Sequence, residues 1–139
     1  MGGELIARII DNSEYIRKNK VNLILQPMSS IEELRYYLSA NGFNIFDESI
    51  CKSSGKLYQC INCVYDGTRR DISSAEASLG KVNIQKGADN IYFLPLLDKL
   101  MSRTKYIIEG KEKGSEDSSR ERALLVGLEE VYAKIRGIL

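Results

Sequence analysis

The chain has 139 residues, 43% of them apolar and 28% charged, with a net charge of +1. That is the size of one ordinary domain, or of a small core plus an appendage, with enough apolar side chain for a core, and no run approaches the roughly 20 apolar residues that span a bilayer. With no His, no Trp and three Cys, it excludes His-based triads and His-ligated metals, and its cysteines suit a reducing cytoplasm rather than a disulfide framework.

Leu5, Ile6, Ile9 and Ile10 repeat with helical spacing, so a helix of two to four turns follows Met1-Gly2-Gly3. Glycines there suit a strand-to-helix turn with close backbone approach to a ligand, or simply a flexible start. After the polar connector Arg17 to Lys20, Val21 to Gln26 reads as a buried strand. Its short apolar run, bounded by polar residues, predicts a parallel strand covered on both faces. Pro27 cannot donate to a ladder and ends it. Ser29 with Glu32, or Ser30 with Glu33, has capping-box spacing and predicts a helix with Ile31, Leu34 and Leu38 on one face. A strand ending in a polar side chain and turning tightly into a helix is where open α/β sheets hold ligands.

Asn41-Gly42 predicts the end of that helix. Phe43 to Ile50 and Lys56 to Tyr65, joined by Ser53-Ser54-Gly55, predict an antiparallel hairpin. Gly67 to Lys86 lacks clear periodicity and reads as a long loop carrying Arg69 and Arg70, with a turn of helix near Ser74 to Leu79. Beyond it, Phe93, Leu97, Leu100, Thr104 and Ile107, then Leu124, Leu128, Val131, Ile135 and Ile138, step by three and four. Two such helices joined by a polar loop predict an antiparallel helical hairpin. Its basic residues, Lys99, Arg103 and Arg120 among them, read as solvated helix faces or as phosphate contacts.

Cys60-Ile61-Asn62-Cys63 is a C-x-x-C, but residues three apart on a strand point to opposite faces, which argues against metal or redox work. Asp47 and Glu48 diverge for the same reason and make a poor acid/base pair. There is no G-x-G-x-x-G, P-loop or G-x-S-x-G.

Met-Gly-Gly-Glu-Leu-Ile at the start, Leu-Ile-Leu-Gln-Pro at 23 to 27 and Leu34-Arg35 together resemble the bacterial tRNA adenine-N1 methyltransferases that modify adenine 22 of the D-arm. The likeness continues through Gly42-Phe43, Asp47-Glu48, Gly55 to Tyr58 and Leu79-Gly80. It implies a class I, Rossmann-like α/β fold, represented by the fifth, sixth and seventh strands with flanking helices. A partial catalytic domain over 1–88 and a coiled-coil hairpin over 89–139 are expected. The chain opens inside the family's fourth-strand motif, so it is expected to be a C-terminal portion, poor at binding S-adenosyl-L-methionine and inactive alone. Carried over, Gly2 and Gly3 line the methyl-donor cleft, and Gln26 and Pro27 shape the target-base side. Arg69, Arg70, Lys99, Arg103 and Arg120 become candidates for tRNA contact. Met28 stands where the family has Asn, and no role is transferred to it. Self-association through an exposed sheet edge is expected, with neither metal nor membrane. The rival reading is a non-catalytic α/β module whose hairpin docks RNA or protein.

Overall fold

The computed structural model describes residues 1–137. Ile138 of the predicted seam lies outside the described residues. The elements in order are α1 (Gly3–Asp11), α2 (Glu14–Lys18), β1 (Leu23–Leu25), α3 (Ile31–Ala40), β2 (Phe43–Ser53) and β3 (Lys56–Tyr65). They are followed by α4 (Ser74–Leu79), α5 (Lys81–Lys86), a 3-10 turn (Gly87–Asp89), α6 (Phe93–Lys113) and α7 (Ser119–Ile135).

The three strands order as β1-β3-β2, with both ladders antiparallel. The predicted hairpin forms around a two-residue turn in which Ser54 and Gly55 both have positive φ (50° and 79°). That geometry matches the twist of the flanking strands. β1 corrects its prediction in two ways. Its ladder is antiparallel, because the neighbouring strand is the returning arm of the hairpin. One of its faces is also bare: Ile24 is 78% exposed, while Leu23 and Leu25 pack inward. An apolar run marks burial potential; helices on only one side cover only alternate residues.

A bulge between Ile45 and Asp47 sets the inward-facing residues of β2. Before it Phe43 and Ile45 pack into the core; after it Glu48 and Ile50 do, because one extra residue reverses the alternation. On β3 the inward series is Cys63, Ile61, Gln59, Leu57. Two apolar clusters result. α1 and α3 cover the first with Ile6, Ile10, Leu34 and Leu38 against Phe43, Ile61 and Cys63. The second joins Ile50 to Ala75, Leu79, Phe93, Leu97 and Leu128, so it seats the base of the α6–α7 hairpin.

Between them lies a buried polar cluster. Ile31, Leu34, Arg35 and Leu38 share the i, i+3, i+4, i+7 face of α3, and Arg35 is 1% exposed. Its Nε donates to Glu48 Oε1 (2.9 Å), Nη2 to Gln59 Oε1 (2.7 Å) and Nη1 to the Ala77 carbonyl (2.8 Å). The other Glu48 oxygen accepts from the Val82 amide (3.1 Å) at the start of α5. Burial holds the Arg35 pKa below its usual value, with the Glu48 carboxylate opposing the shift, and an arginine guanidinium stays protonated in proteins.

In the stretch predicted as a loop, the turn of helix expected near Ser74 to Leu79 forms as α4, and α5 is a second, unexpected short helix. Ser73 and Glu76 form a reciprocal capping box at α4. Gly80, with φ +89°, separates α4 from α5. The capping boxes predicted at Ser29 or Ser30 do not form. Ser30 is the N-cap of α3 but sits in the left-handed region at φ +54°, with no side-chain cap bond, because the chain must turn sharply out of β1 there.

Candidate functional site

β1 ends at Leu25, Gln26 is exposed and Pro27 is buried. The turn that follows is pinned to the start of the chain. The Met28 amide donates to the Met1 carbonyl (2.9 Å) and the Gly3 amide to the Ser29 carbonyl (2.7 Å). A Cβ on Gly3 would overlap the Ser30 carbonyl, and one on Gly2 would lie 2.8 Å from Ser29 Oγ. The two glycines therefore allow α1 to start directly against the turn into α3. The close approach anticipated for a ligand is, on this side, an approach to the chain's own backbone.

Beside the turn opens a cleft of about 500 Å³, walled by Pro27 to Glu32, by Lys56 to Gln59 at the start of β3, and by α6. Leu96, Lys99, Leu100 and Arg103 line it from α6 at i, i+3, i+4, i+7 spacing. Gln59 and Ser78 lie on its floor. They are held there because Gln59 accepts from Arg35 and donates to the Ser78 carbonyl (3.2 Å). The buried ion pair thus fixes the floor of the cleft, which sequence reading missed. The available signal was a charged residue inside the apolar stripe of α3 and a Gln among the inward residues of β3.

The structure brings Pro27, Lys99 and Arg103 together at this cleft, with Gln26 on the adjoining strand end. Gly2 and Gly3 stand behind the same turn. Arg69 and Arg70 are elsewhere, at the opposite end of α3. Arg69 lines a depression with Ala40 to Gly42, while Arg70 pairs with Asp66 and donates its backbone amide to the Ser39 carbonyl (2.8 Å). The Arg70 guanidinium holds the Asp66 carboxyl below its usual range. Arg120 is exposed in the first turn of α7, at the far tip of the hairpin. Asp47 and Glu48 do diverge: Asp47 meets Lys86 (2.7 Å) at the surface, and Glu48 is buried on Arg35. Cys63 is in the core, where burial pushes its thiol up to about 12, while Cys60 lies on the other face. No group of three or more His, Cys, Asp or Glu among the described residues could hold a metal, and no described helix is long and apolar enough to cross a membrane.

The profile of the tRNA (adenine(22)-N(1))-methyltransferases matches residues 1–126. The chain belongs to that family. Among solved structures it is similar to Sp1610 of Streptococcus pneumoniae, a candidate tRNA (m1A22) methyltransferase crystallised with S-adenosyl-L-methionine, at 25% identity and a TM-score of 0.73. That likeness covers 94% of this chain and 56% of the other. A second structure of the same protein gives 26% identity, a TM-score of 0.70 and coverage of 97% and 58%. The B. subtilis M1A22 tRNA methyltransferase TrmK shares the fold at 24% identity and a TM-score of 0.64, over 99% of this chain and 59% of that one. No curated protein matches. The chain thus spans a little over half the length of these structures and shares its mixed α/β fold with them over that length.

Ser29, Ser30 and Leu34 fill the space beside both glycines, and the sequence holds no Gly-rich phosphate-type turn. The residues present do not enclose a sulfonium methyl donor.

Proposed function

We propose that this chain forms the target-base side of a tRNA adenine-N1 methyltransferase, with S-adenosyl-L-methionine as methyl donor and adenine 22 of the D-arm as acceptor. The observation that carries the reading is the cleft at the Pro27 turn, where a strand end of the family fold faces two cations of the hairpin. N1 of a neutral adenine already carries a lone pair, so the reaction asks for placement and extrusion of the base rather than for a protein nucleophile. A chain with no His can meet that demand. In this reading Gln26 and Pro27 shape the pocket for the base, and Gly2 and Gly3 keep the first turn of α1 close behind it. The body over 1–88 carries this pocket, the hairpin over 89–139 braces the tRNA backbone, and the work is cytoplasmic. The free edge of β1 favours self-association.

The test joins this chain to the part of the S. pneumoniae relative that it does not cover. The fusion is assayed on an unmodified tRNA transcript for a reverse-transcription stop at adenine 22. Methylation that falls at least a hundredfold on replacing Gln26 and Pro27 by Ala is the expected result. A fusion that folds and binds the donor yet leaves adenine 22 unmodified defeats the reading. The chain alone should show no micromolar donor binding by calorimetry.

A further inference from the structure

Lys56, Lys99 and Arg103 converge on the Pro27 cleft from two elements, and none is in an ion pair with a described residue. Six other basic residues, Arg17, Arg35, Arg70, Lys86, Lys111 and Arg122, have carboxylate partners, and the remaining cations of the chain are, like these three, without an ion pair to a described residue but do not line this cleft. Two aromatic rings accompany the three cations. Tyr58 lines the cleft from β3. Tyr106, 78% exposed, lies three residues beyond Arg103 on α6. Lys99, Arg103 and Tyr106 step by four and three, so they form one stripe leading out of the cleft along the hairpin. The cleft also carries one carboxylate, Glu32, and the apolar Leu96 and Leu100.

Cations alone would suit any phosphate backbone. Cations beside an exposed ring (Tyr106) and a half-buried one (Tyr58) suit a strand whose bases are unstacked, because duplex bases present no face for stacking. We propose, resting on the tRNA reading above, that the cleft and the α6 stripe grip unpaired RNA. Lys56, Lys99 and Arg103 hold successive phosphates, and Tyr58 and Tyr106 stack bases. The substrate would then be recognised as an opened loop or arm beside the target adenine rather than as an intact helix.

The test is fluorescence anisotropy on the whole 139-residue chain. Its ligands are an unmodified tRNA transcript, a single-stranded RNA of about 12 nucleotides and the matching duplex. Salt is varied between about 50 and 200 mM. Expected are tighter binding of the single strand than of the duplex and about a tenfold loss in Tyr106→Ala. The salt slope should fall by about 2 in the Lys56→Ala/Lys99→Ala/Arg103→Ala variant. A control removing equal charge elsewhere, Arg8→Ala/Lys18→Ala/Lys81→Ala, should keep the wild-type slope. Circular dichroism checks that these surface variants stay folded. If the wild-type chain binds tRNA but the cleft and control variants behave alike, or duplex is preferred, the inference fails and the tRNA reading stands. If the wild-type chain binds no tRNA at all, both fall.

Discussion

At the residue scale, the Arg35–Glu48 pair matters most. Both side chains are about 1% exposed, at 2.9 Å, and every remaining contact of the guanidinium is also a buried acceptor. A buried pair adds little over a well-packed apolar pair, but removing one partner strands a charge at a cost of roughly 3–5 kcal/mol. Glu48→Gln should therefore destabilise the fold by about that amount in urea unfolding, through a lowered midpoint at unchanged slope. A change within about 0.5 kcal/mol, the surface-substitution range, would show that the pair is dispensable. Cysteine chemistry separates at the same scale. Cys51 is exposed, whereas Cys63 is buried with its thiol pushed up to about 12. A thiol reagent at neutral pH should label Cys51 rapidly and Cys63 only on unfolding. Because folded Cys63 keeps its proton where the unfolded chain has lost it, it contributes a fall in stability as pH rises from about 8.5 toward 12. Cys63→Ala should flatten that alkaline limb; an identical limb would exclude the thiol as its source.

At the element scale, the helices owe their ends to specific groups. α4 is only six residues long, too short to persist alone, and its capping box satisfies two otherwise orphaned donors. Ser73→Ala should cost about 1 kcal/mol, read as a shift of the urea midpoint, while the same change at the uncapped Ser30 should cost less. α1 depends on a missing Cβ. Gly3 sits against the Ser30 carbonyl and Leu34, so Gly3→Ala must push α1 away from α3. Overpacking of this kind costs about 1–3 kcal/mol, and hydrogen exchange should show it first in α1. Protection unchanged in α1 would mean that the contact is slack.

At the scale of the whole molecule, one flank is open. β1 is paired on one side only among the described residues, Ile24 is 78% exposed, and Leu5 and Ile9 of α1 are about half exposed. Apolar side chains beside a bare strand edge favour intermolecular pairing. Sedimentation should show association that grows with concentration and weakens in Ile24→Lys. A monomer at all concentrations would mean that the short edge is self-limiting.

Periodicity and turn chemistry carried the order of the strands and of the longer helices, though not α2 or α5, together with the Ser54-Gly55 hairpin, the divergence of Asp47 from Glu48 and of Cys60 from Cys63, and the two seam helices. These are local properties: side-chain direction follows from the backbone repeat, and turns follow from which residues tolerate positive φ. The family resemblance was legible too, from a few short motifs at fixed separation. Tertiary structure decided the rest. The direction of the β1 ladder depends on which strand returns beside it, and the bare face of Ile24 on which side the helices cover. Whether Ser30 caps its helix depends on the angle at which the chain leaves β1. Arg35, Glu48 and Gln59 are unremarkable one at a time and 11 or more positions apart along the chain, yet a single bulge at Phe46 and the packing of α3 bring them into one buried cluster. Likewise Pro27, Lys56 and Lys99 share a cleft only because the hairpin docks against the end of the sheet, a long-range contact that no local pattern encodes.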